Sequence, residues 1–336
     1  MKSPAEEIEN RSRRGWEMLE KGLECQTAVL LAGAGCSIGA GYPTWGGLIS
    51  ELANDIEPGF IPRASGQLDK LQEISDFCLK KYKSLDAVSR FINRRFKPRN
   101  PAYNNFHRSL MNLPFAGLTT TNYDHVLEDS LRSLLAPEQL SCVPVNLCDE
   151  SKRLLVLDFF RDLGAKSRDL HRILHLHGSY DLPDQVMLTV NDYSRFYDGF
   201  IVDGAGKRQQ VDETLTYHRK TIWALLATRM VVFVGFSLTD DVFNSVIDVL
   251  LHDVNRINER LHVAFMGIRS VDDMLRQEER FELLAVAPIY YELGTGPGDP
   301  HAKLYQLVEE LEAKYHIWKP RSTVRAISAR NEEMYP

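Results

Sequence analysis

Leu30-Leu31-Ala32-Gly33-Ala34-Gly35-Cys36-Ser37-Ile38-Gly39-Ala40-Gly41-Tyr42-Pro43 is the stretch on which the fold turns. An apolar run from Thr27 to Ala32 delivers the backbone into a segment built almost wholly of Gly and Ala. Small residues let a main chain bend tightly and let a ligand approach it closely. A buried strand that enters a glycine-rich turn and then a helix is the architecture of dinucleotide-phosphate sites. There a helix N-terminus and free N–H groups meet the pyrophosphate. The spacing is Gly-x-Gly-x-x-x-Gly and no Gly-Lys-Ser/Thr follows, so neither the usual dehydrogenase fingerprint nor a P-loop is matched. A tight strand-to-helix turn that binds nothing is the plainer reading of the same residues.

Three later segments sharpen the first. Ala116-Gly117-Leu118-Thr119-Thr120-Thr121-Asn122-Tyr123-Asp124 reads as a strand ending in Asn and Asp. Ile173-Leu174-His175-Leu176-His177-Gly178-Ser179 reads as a strand ending in His-Gly, and Met230 to Leu238 as an apolar strand ending in Gly235-Phe236-Ser237. Each has the length and apolar content of a strand buried on both faces, as in a parallel sheet. Ligands of open α/β sheets bind beyond the C-terminal strand edge, so four such endings predict one site built from four loops.

Taken in order, Gly-Ala-Gly-x-Ser, Gly-x-Pro, Thr-x-Asn-x-Asp, His-Gly and Gly-x-Ser resemble the sirtuin NAD-binding domain. The forms Gly41-Tyr42-Pro43-Thr44-Trp45, Thr120-Thr121-Asn122-Tyr123-Asp124 and Leu176-His177-Gly178-Ser179 are most similar to sirtuin-like proteins of prokaryotic antiviral defence. The resemblance runs from about Thr27 to Leu293. It implies an α/β, Rossmann-like parallel sheet with helices on both faces and a helical insertion subdomain, with NAD+ as substrate.

Composition is compatible with that reading. The chain has 336 residues, 44% hydrophobic and 26% charged, as in ordinary globular proteins. A net charge of −6 gives no global attraction to nucleic acid, and no sequence-specific nucleic-acid binding is expected. No apolar run approaches the ~20 residues of a membrane span. The first residues are rich in Lys, Glu and Arg without an apolar h-region, which fits a cytoplasmic protein. Cys25, Cys36, Cys78, Cys142 and Cys148 are scattered, as in a reducing compartment, and form no paired Cys-x-x-Cys motifs. The zinc ribbon that sirtuin deacylases usually carry therefore has no ligands here, and no metal is expected.

Residues 1–26 are predicted to form an N-terminal amphipathic helix, with Ile8, Trp16, Leu19 and Leu23 packing on the sheet or on a neighbouring subunit. The catalytic domain is placed at 27–318, with a helical insertion at about 59–112 broken at Pro62, Gly66 and Pro98. Residues 140–170 read as a polar insertion and 181–212 as a loop-rich aromatic segment. Further strands are expected at Leu261–Gly267 and Val286–Glu292, around a helix at 272–285. Residues 319–336 form an Arg-bearing tail that is either disordered or an arm reaching a neighbouring subunit, and a homo-oligomer is expected.

NAD+ stores reactivity in the bond between nicotinamide and the ribose anomeric carbon, which breaks through an oxocarbenium-like state. Asn122 suits the placing of a water, because its uncharged amide both donates and accepts. Asp124 suits the nicotinamide carboxamide or a ribose hydroxyl and also favours developing positive charge, and it is equally a good cap for the helix that follows. His177 is the general-base candidate among ten histidines. His175, two residues away, shares a strand face with it. That makes a metal pair conceivable, although a core histidine is the reading adopted here.

Gly33, Ala34, Gly35, Ser37, Pro43, Trp45, Thr121, Gly235 and Ser237 complete the expected NAD+-binding set. Ser37 is placed near the pyrophosphate, and Gly235 and Ser237 near the adenosine ribose and phosphates. Asp240 and Asp241 read as helix caps, and Arg269 as a surface residue or an adenine-side contact.

After Gly-x-Pro, sirtuin deacylases usually show Asp-Phe-Arg, whereas Thr44-Trp45-Gly46 stands here. Without that Phe shield and the zinc module, water is the expected acceptor, which points to an NAD+ glycohydrolase; the resemblance to defence proteins implies a role in anti-phage defence by NAD+ depletion. The rival readings are a lysine deacylase and a non-catalytic NAD or ADP-ribose module. A nuclease lacks a carboxylate cluster for metal. The resemblance also suggests a separate partner, a HerA-like DNA-translocating ATPase or a short Argonaute.

Overall fold

The computed structural model describes residues 3–56, 85–100, 102–135, 142–164, 171–198, 200–202, 208–210, 216–255, 259–296 and 299–316. Pro62, Gly66, Cys78 and the tail 319–336 lie outside them.

α1 (Pro4–Glu24) opens with Ser3 and Glu6 in a reciprocal capping box and leads into β1 (Ala28–Ala32). A short α2 (Ala34–Ser37) and α3 (Trp45–Ile56) follow, then α4 (Leu85–Phe96) and α5 (Asn105–Asn112). Next come β2 (Gly117–Thr120), α6 (Val126–Leu134), β3 (Cys142–Asn146), α7 (Arg153–Asp162) and β4 (His171–His175). α8 (Val190–Tyr193) runs straight into one π-helical turn, Ser194–Asp198, and a hairpin of β5 (Phe200–Val202) and β6 (Arg208–Gln210). The chain continues through α9 (Tyr217–Thr228), β7 (Met230–Val234), α10 (Asp241–Asp253), β8 (His262–Ile268), α11 (Val271–Leu283), β9 (Val286–Glu292) and α12 (Ala302–Tyr315).

Seven strands form one parallel sheet in the order β3-β4-β2-β1-β7-β8-β9. The six strands expected from sequence are all present, and β3 is the addition. It falls inside the stretch read as a polar insertion and carries Pro144 at its centre, which argues against a strand in a sheet interior. Its place at the edge, paired with β4 alone, removes the objection.

Alternation along the strands divides the core. Val29, Leu31, Val231 and Phe233 face one side with Phe159, Ile222, Val246 and Phe281 of the covering helices. Leu30, Ala32, Val232 and Val234 face the other with Leu19, Leu23, Leu110, Leu131 and Val308. α1 belongs to this second cover: Trp16 meets Phe265 edge-on, and Ser12 Oγ accepts from the Tyr290 N–H at 2.9 Å. Of the two surfaces left open for that helix, it takes its own sheet.

A third, smaller cluster joins α3 and α4 through Leu48, Ile49, Leu52, Phe91, Ile92 and Phe96, and roofs Tyr123 and Val126 at the sheet edge. Of these two helices only α4 falls within the span 59–112 read as a helical insertion, whose residues 57–84 lie outside the described ones. α5, within the same expected span, packs instead on the sheet through Phe106 and Leu110.

Candidate active site

Parallel register brings the four loops together. Ala32 pairs with Thr120 on one side and Val234 on the other, and Thr120 pairs with His175. The residues after these four therefore emerge side by side. β1 lies where the chain first steps one way, to β2, and later the other way, to β7, which is the crevice where open α/β sheets bind ligands.

The glycines of the first loop are explained first by packing. The Gly33 N–H donates to Val234 O and the Gly35 N–H to Gly235 O, both at 2.9 Å. A Cβ on Gly35 would stand 2.8 Å from Gly235 Cα, and Gly235 itself has φ 64°. Two backbone loops cross here without room for side chains. The N–H groups of Gly33 and Gly35 are consequently spent inside the protein rather than left for a phosphate.

Above this crossing lies a cavity of about 440 Å³, within the usual range for small-molecule sites. Of the residues expected at the site, Ala34, Gly35, Pro43, Trp45, Thr121, Asn122, Asp124, His177, Gly235 and Ser237 line it. Gly33 and Ser37 do not. Gly33 lies at the backbone crossing, and Ser37 is buried behind the wall, where its hydroxyl accepts from Asn122 Nδ2 at 3.0 Å and also bonds Asp124. Arg269 is not among the lining residues.

Asn122 is held from several directions. Its N–H donates to Thr120 Oγ1 at 2.9 Å, and Nδ2 donates to Gly33 O and Ser37 Oγ, each at 3.0 Å. Because a carbonyl only accepts, the amide orientation is forced. Both Nδ2 hydrogens are used, so Oδ1 is the atom of this amide left to meet a ligand, and it acts as an acceptor. The two-way role expected from sequence narrows to one.

Asp124 is 4% exposed. Burial pushes its carboxyl above the usual range, while the Ser37 hydroxyl and the Val126 N–H oppose that rise. Its Oδ1 accepts from Val126 N–H at 3.1 Å, so the capping role and the cavity role coexist.

His177 sits just past the end of β4. Gly178, with φ 86°, turns the chain back so that Met187 N–H donates to His177 O at 2.8 Å. His177 Nε2 lies 3.2 Å from the Tyr197 hydroxyl, and its ring meets Tyr193 edge-on. Among the described residues Nδ1 has no hydrogen-bond partner. Burial lowers the imidazole pKa to about 4, leaving it neutral at physiological pH, as a general base requires.

His175 takes different partners, Glu128 and the Asn122 carbonyl, because the strand ends before His177 and the two rings part. Among the described residues no group of three His, Cys, Asp or Glu side chains is arranged to hold a metal. Cys25, Cys36, Cys142 and Cys148 are all free thiols.

Tyr193 and Asp240 were not singled out as ligand contacts in the sequence. The two tyrosines Tyr193 and Tyr197, four residues apart across the α8–π-turn junction, stack at 5.9 Å. One phenol reaches Asp240 Oδ2 at 3.3 Å and the other reaches His177. Asp240 is the N-cap of α10, as expected, and also lines the cavity. His301, from the loop before α12, completes the far rim. The aromatic spacing after Thr189 was the available signal, but no periodicity rule anticipates a π turn.

The chain is thus a parallel α/β protein with a cavity at its switch point. Residues 116–289 match the model of the SIR2-like domain, and the chain belongs to that family. It is 26% identical over 276 residues to an NAD(+) hydrolase ThsA of Enterococcus faecium, covering 80% of this chain and 48% of the relative. A second NAD(+) hydrolase ThsA, of Bacillus cereus, is 24% identical over 216 residues, covering 64% and 38% respectively. The chain thus spans half or less of the length of these curated relatives. A solved Sir2 homologue in complex with 2'-O-acetyl ADP ribose aligns over 89% of this chain at 13% identity and a TM-score of 0.35. No described helix is long and apolar enough to cross a membrane.

Proposed function

We propose that the chain is an NAD+ glycohydrolase that releases nicotinamide and ADP-ribose. The observation that carries this reading is the convergence of a single acceptor atom, Asn122 Oδ1, a buried carboxyl, Asp124, and a neutral imidazole, His177, on one cavity at the sheet's switch point. NAD+ would span the cavity, with Asp124 at the nicotinamide carboxamide or a ribose hydroxyl. Asn122 Oδ1 would orient a water for the anomeric carbon, and His177 would take its proton or that of a ribose hydroxyl. Trp45 lines the wall, its indole N–H without a partner among the described residues, at the place where deacylases usually carry a Phe.

The reading extends to anti-phage defence by NAD+ depletion in the cytoplasm and to a homo-oligomeric assembly. A HerA-like ATPase or a short Argonaute is proposed as partner. The similarity to NAD(+) hydrolases supports the chemistry. Incubation of the chain with NAD+ and separation of free nicotinamide tests it. Equal amounts of nicotinamide and ADP-ribose are expected, and release that requires an acetylated peptide would favour a deacylase instead.

A further inference from the structure

His175 and Glu128 have no part in the chemistry above, yet both are 0% exposed, directly beneath the site. Two ionisable groups in a core are costly to desolvate, and an apolar pair of similar volume would commonly serve stability as well or better. Their arrangement therefore asks for a reason besides stability. His175 is the last residue of β4, and Glu128 lies in the first turn of α6. Nε2 of His175 lies 2.7 Å from Glu128 Oε1, and Nδ1 lies 2.9 Å from the main-chain O of Asn122.

Since the carbonyl only accepts, Nδ1 carries a proton and donates it to Asn122. Glu128 then fixes the ring from its far side, much as a carboxylate behind a histidine sets the ring's orientation and tautomer in many sites. The remaining Asn122 contacts hold its amide and N–H, so the His175 bond is the one that fixes its carbonyl.

We infer that His175, oriented by Glu128, is a positioning residue for Asn122, keeping the loop after β2 at the angle that points Oδ1 into the cavity. The inference rests on the hydrolase reading for its consequence in catalysis, though the positioning itself does not. Glu128 favours the protonated imidazole, raising His175 and lowering its own carboxyl pKa, in keeping with an ionic pair.

Three variants separate positioning from bulk stability. Glu128→Gln replaces the charged pair by a neutral one, because the new amide donates to Nε2 while Nδ1–H still reaches Asn122. In that background His175→Asn places an amide nitrogen near the former Nδ1, and His175→Gln places it near the former Nε2. Nicotinamide release gives kcat and KM, and amide hydrogen exchange reports the segment 121–125 directly.

E128Q and H175N/E128Q are expected to agree in kcat within about threefold. H175Q/E128Q should lose about tenfold or more, approaching the hundredfold that an ångström of misplacement can cost, with KM unchanged. Exchange across 121–125 should accelerate in H175Q/E128Q alone. Equal kcat and equal exchange in all three variants would overturn the inference. So would equal losses in both double variants that follow their melting temperatures. Should the wild-type chain release no nicotinamide either alone or with its genomic neighbour, the hydrolase reading fails, and the exchange comparison alone then decides the positioning.

Discussion

Ser37→Ala is the substitution that separates the observed site most sharply from a generic phosphate loop. Ser37 is 2% exposed, accepts from Asn122 Nδ2 and bonds Asp124, so its removal touches two of the three catalytic candidates while leaving the cavity lining intact. A hydrogen bond to a charged group contributes about 1.5–3 kcal/mol, so loss of the Asp124 bond at the low end lowers kcat about tenfold. The second loss, an unpaired Asn122 Nδ2–H, adds to this by loosening Oδ1.

The pH dependence has a definite sign. Burial already raises the Asp124 carboxyl and Ser37 restrains that rise. Without the hydroxyl the protonated form gains further. If the anion is the working form, the acid limb of kcat moves to higher pH. Nicotinamide release followed as a function of pH through the acid and neutral range reads both effects. Unchanged kcat with an unchanged acid limb would refute the Asn122–Ser37–Asp124 chain. A raised KM alone would return Ser37 to a ligand-binding role.

Asn122→Ala and His177→Ala are each expected to lower hydrolysis at least about a hundredfold while NAD+ still binds by calorimetry. With the His177 pKa lowered to about 4, the wild-type rate should show no histidine limb between about pH 5.5 and 8, and a limb near 6.5 would place the working imidazole elsewhere. Gly235→Ala forces a Cβ into the crossing beneath Cys36 at a positive φ and should cost about 1–3 kcal/mol, read as a lowered melting temperature. Glu128→Ala leaves His175 uncompensated at zero exposure and should cost more, about 3–5 kcal/mol by denaturant unfolding. Metal analysis of the pure protein is expected to find no stoichiometric zinc, and chelators should leave hydrolysis intact.

The sheet was largely legible because parallel strands buried on both faces leave uninterrupted apolar runs, such as Val231 to Val234, between polar ends. β3 escaped because Pro144 and its flanks suit an edge position and lack such a run. Residues lining the candidate cavity were legible wherever a strand end coincides with a small or polar residue, as at Asn122, Asp124 and His177. Local sequence does not tell which way such a side chain points. Ser37 follows the glycine loop, yet the turn of α2 carries it behind the cavity wall, so its partners are other side chains. Gly33 and Gly35 share this ambiguity, since close approach to a ligand and close approach to Gly235 demand the same missing Cβ. Tyr193 and Asp240 meet across 47 residues, and that pairing depends on the register of the whole sheet.

The most direct test of the account is a stoichiometric one. Pure protein is incubated with NAD+ in the absence and presence of its genomic neighbour, and nicotinamide, ADP-ribose and residual NAD+ are quantified together. The account predicts one nicotinamide and one ADP-ribose for each NAD+ lost, with the loss abolished by Asn122→Ala. NAD+ consumption that persists at the wild-type rate in Asn122→Ala would contradict it, as would NAD+ left intact under both conditions.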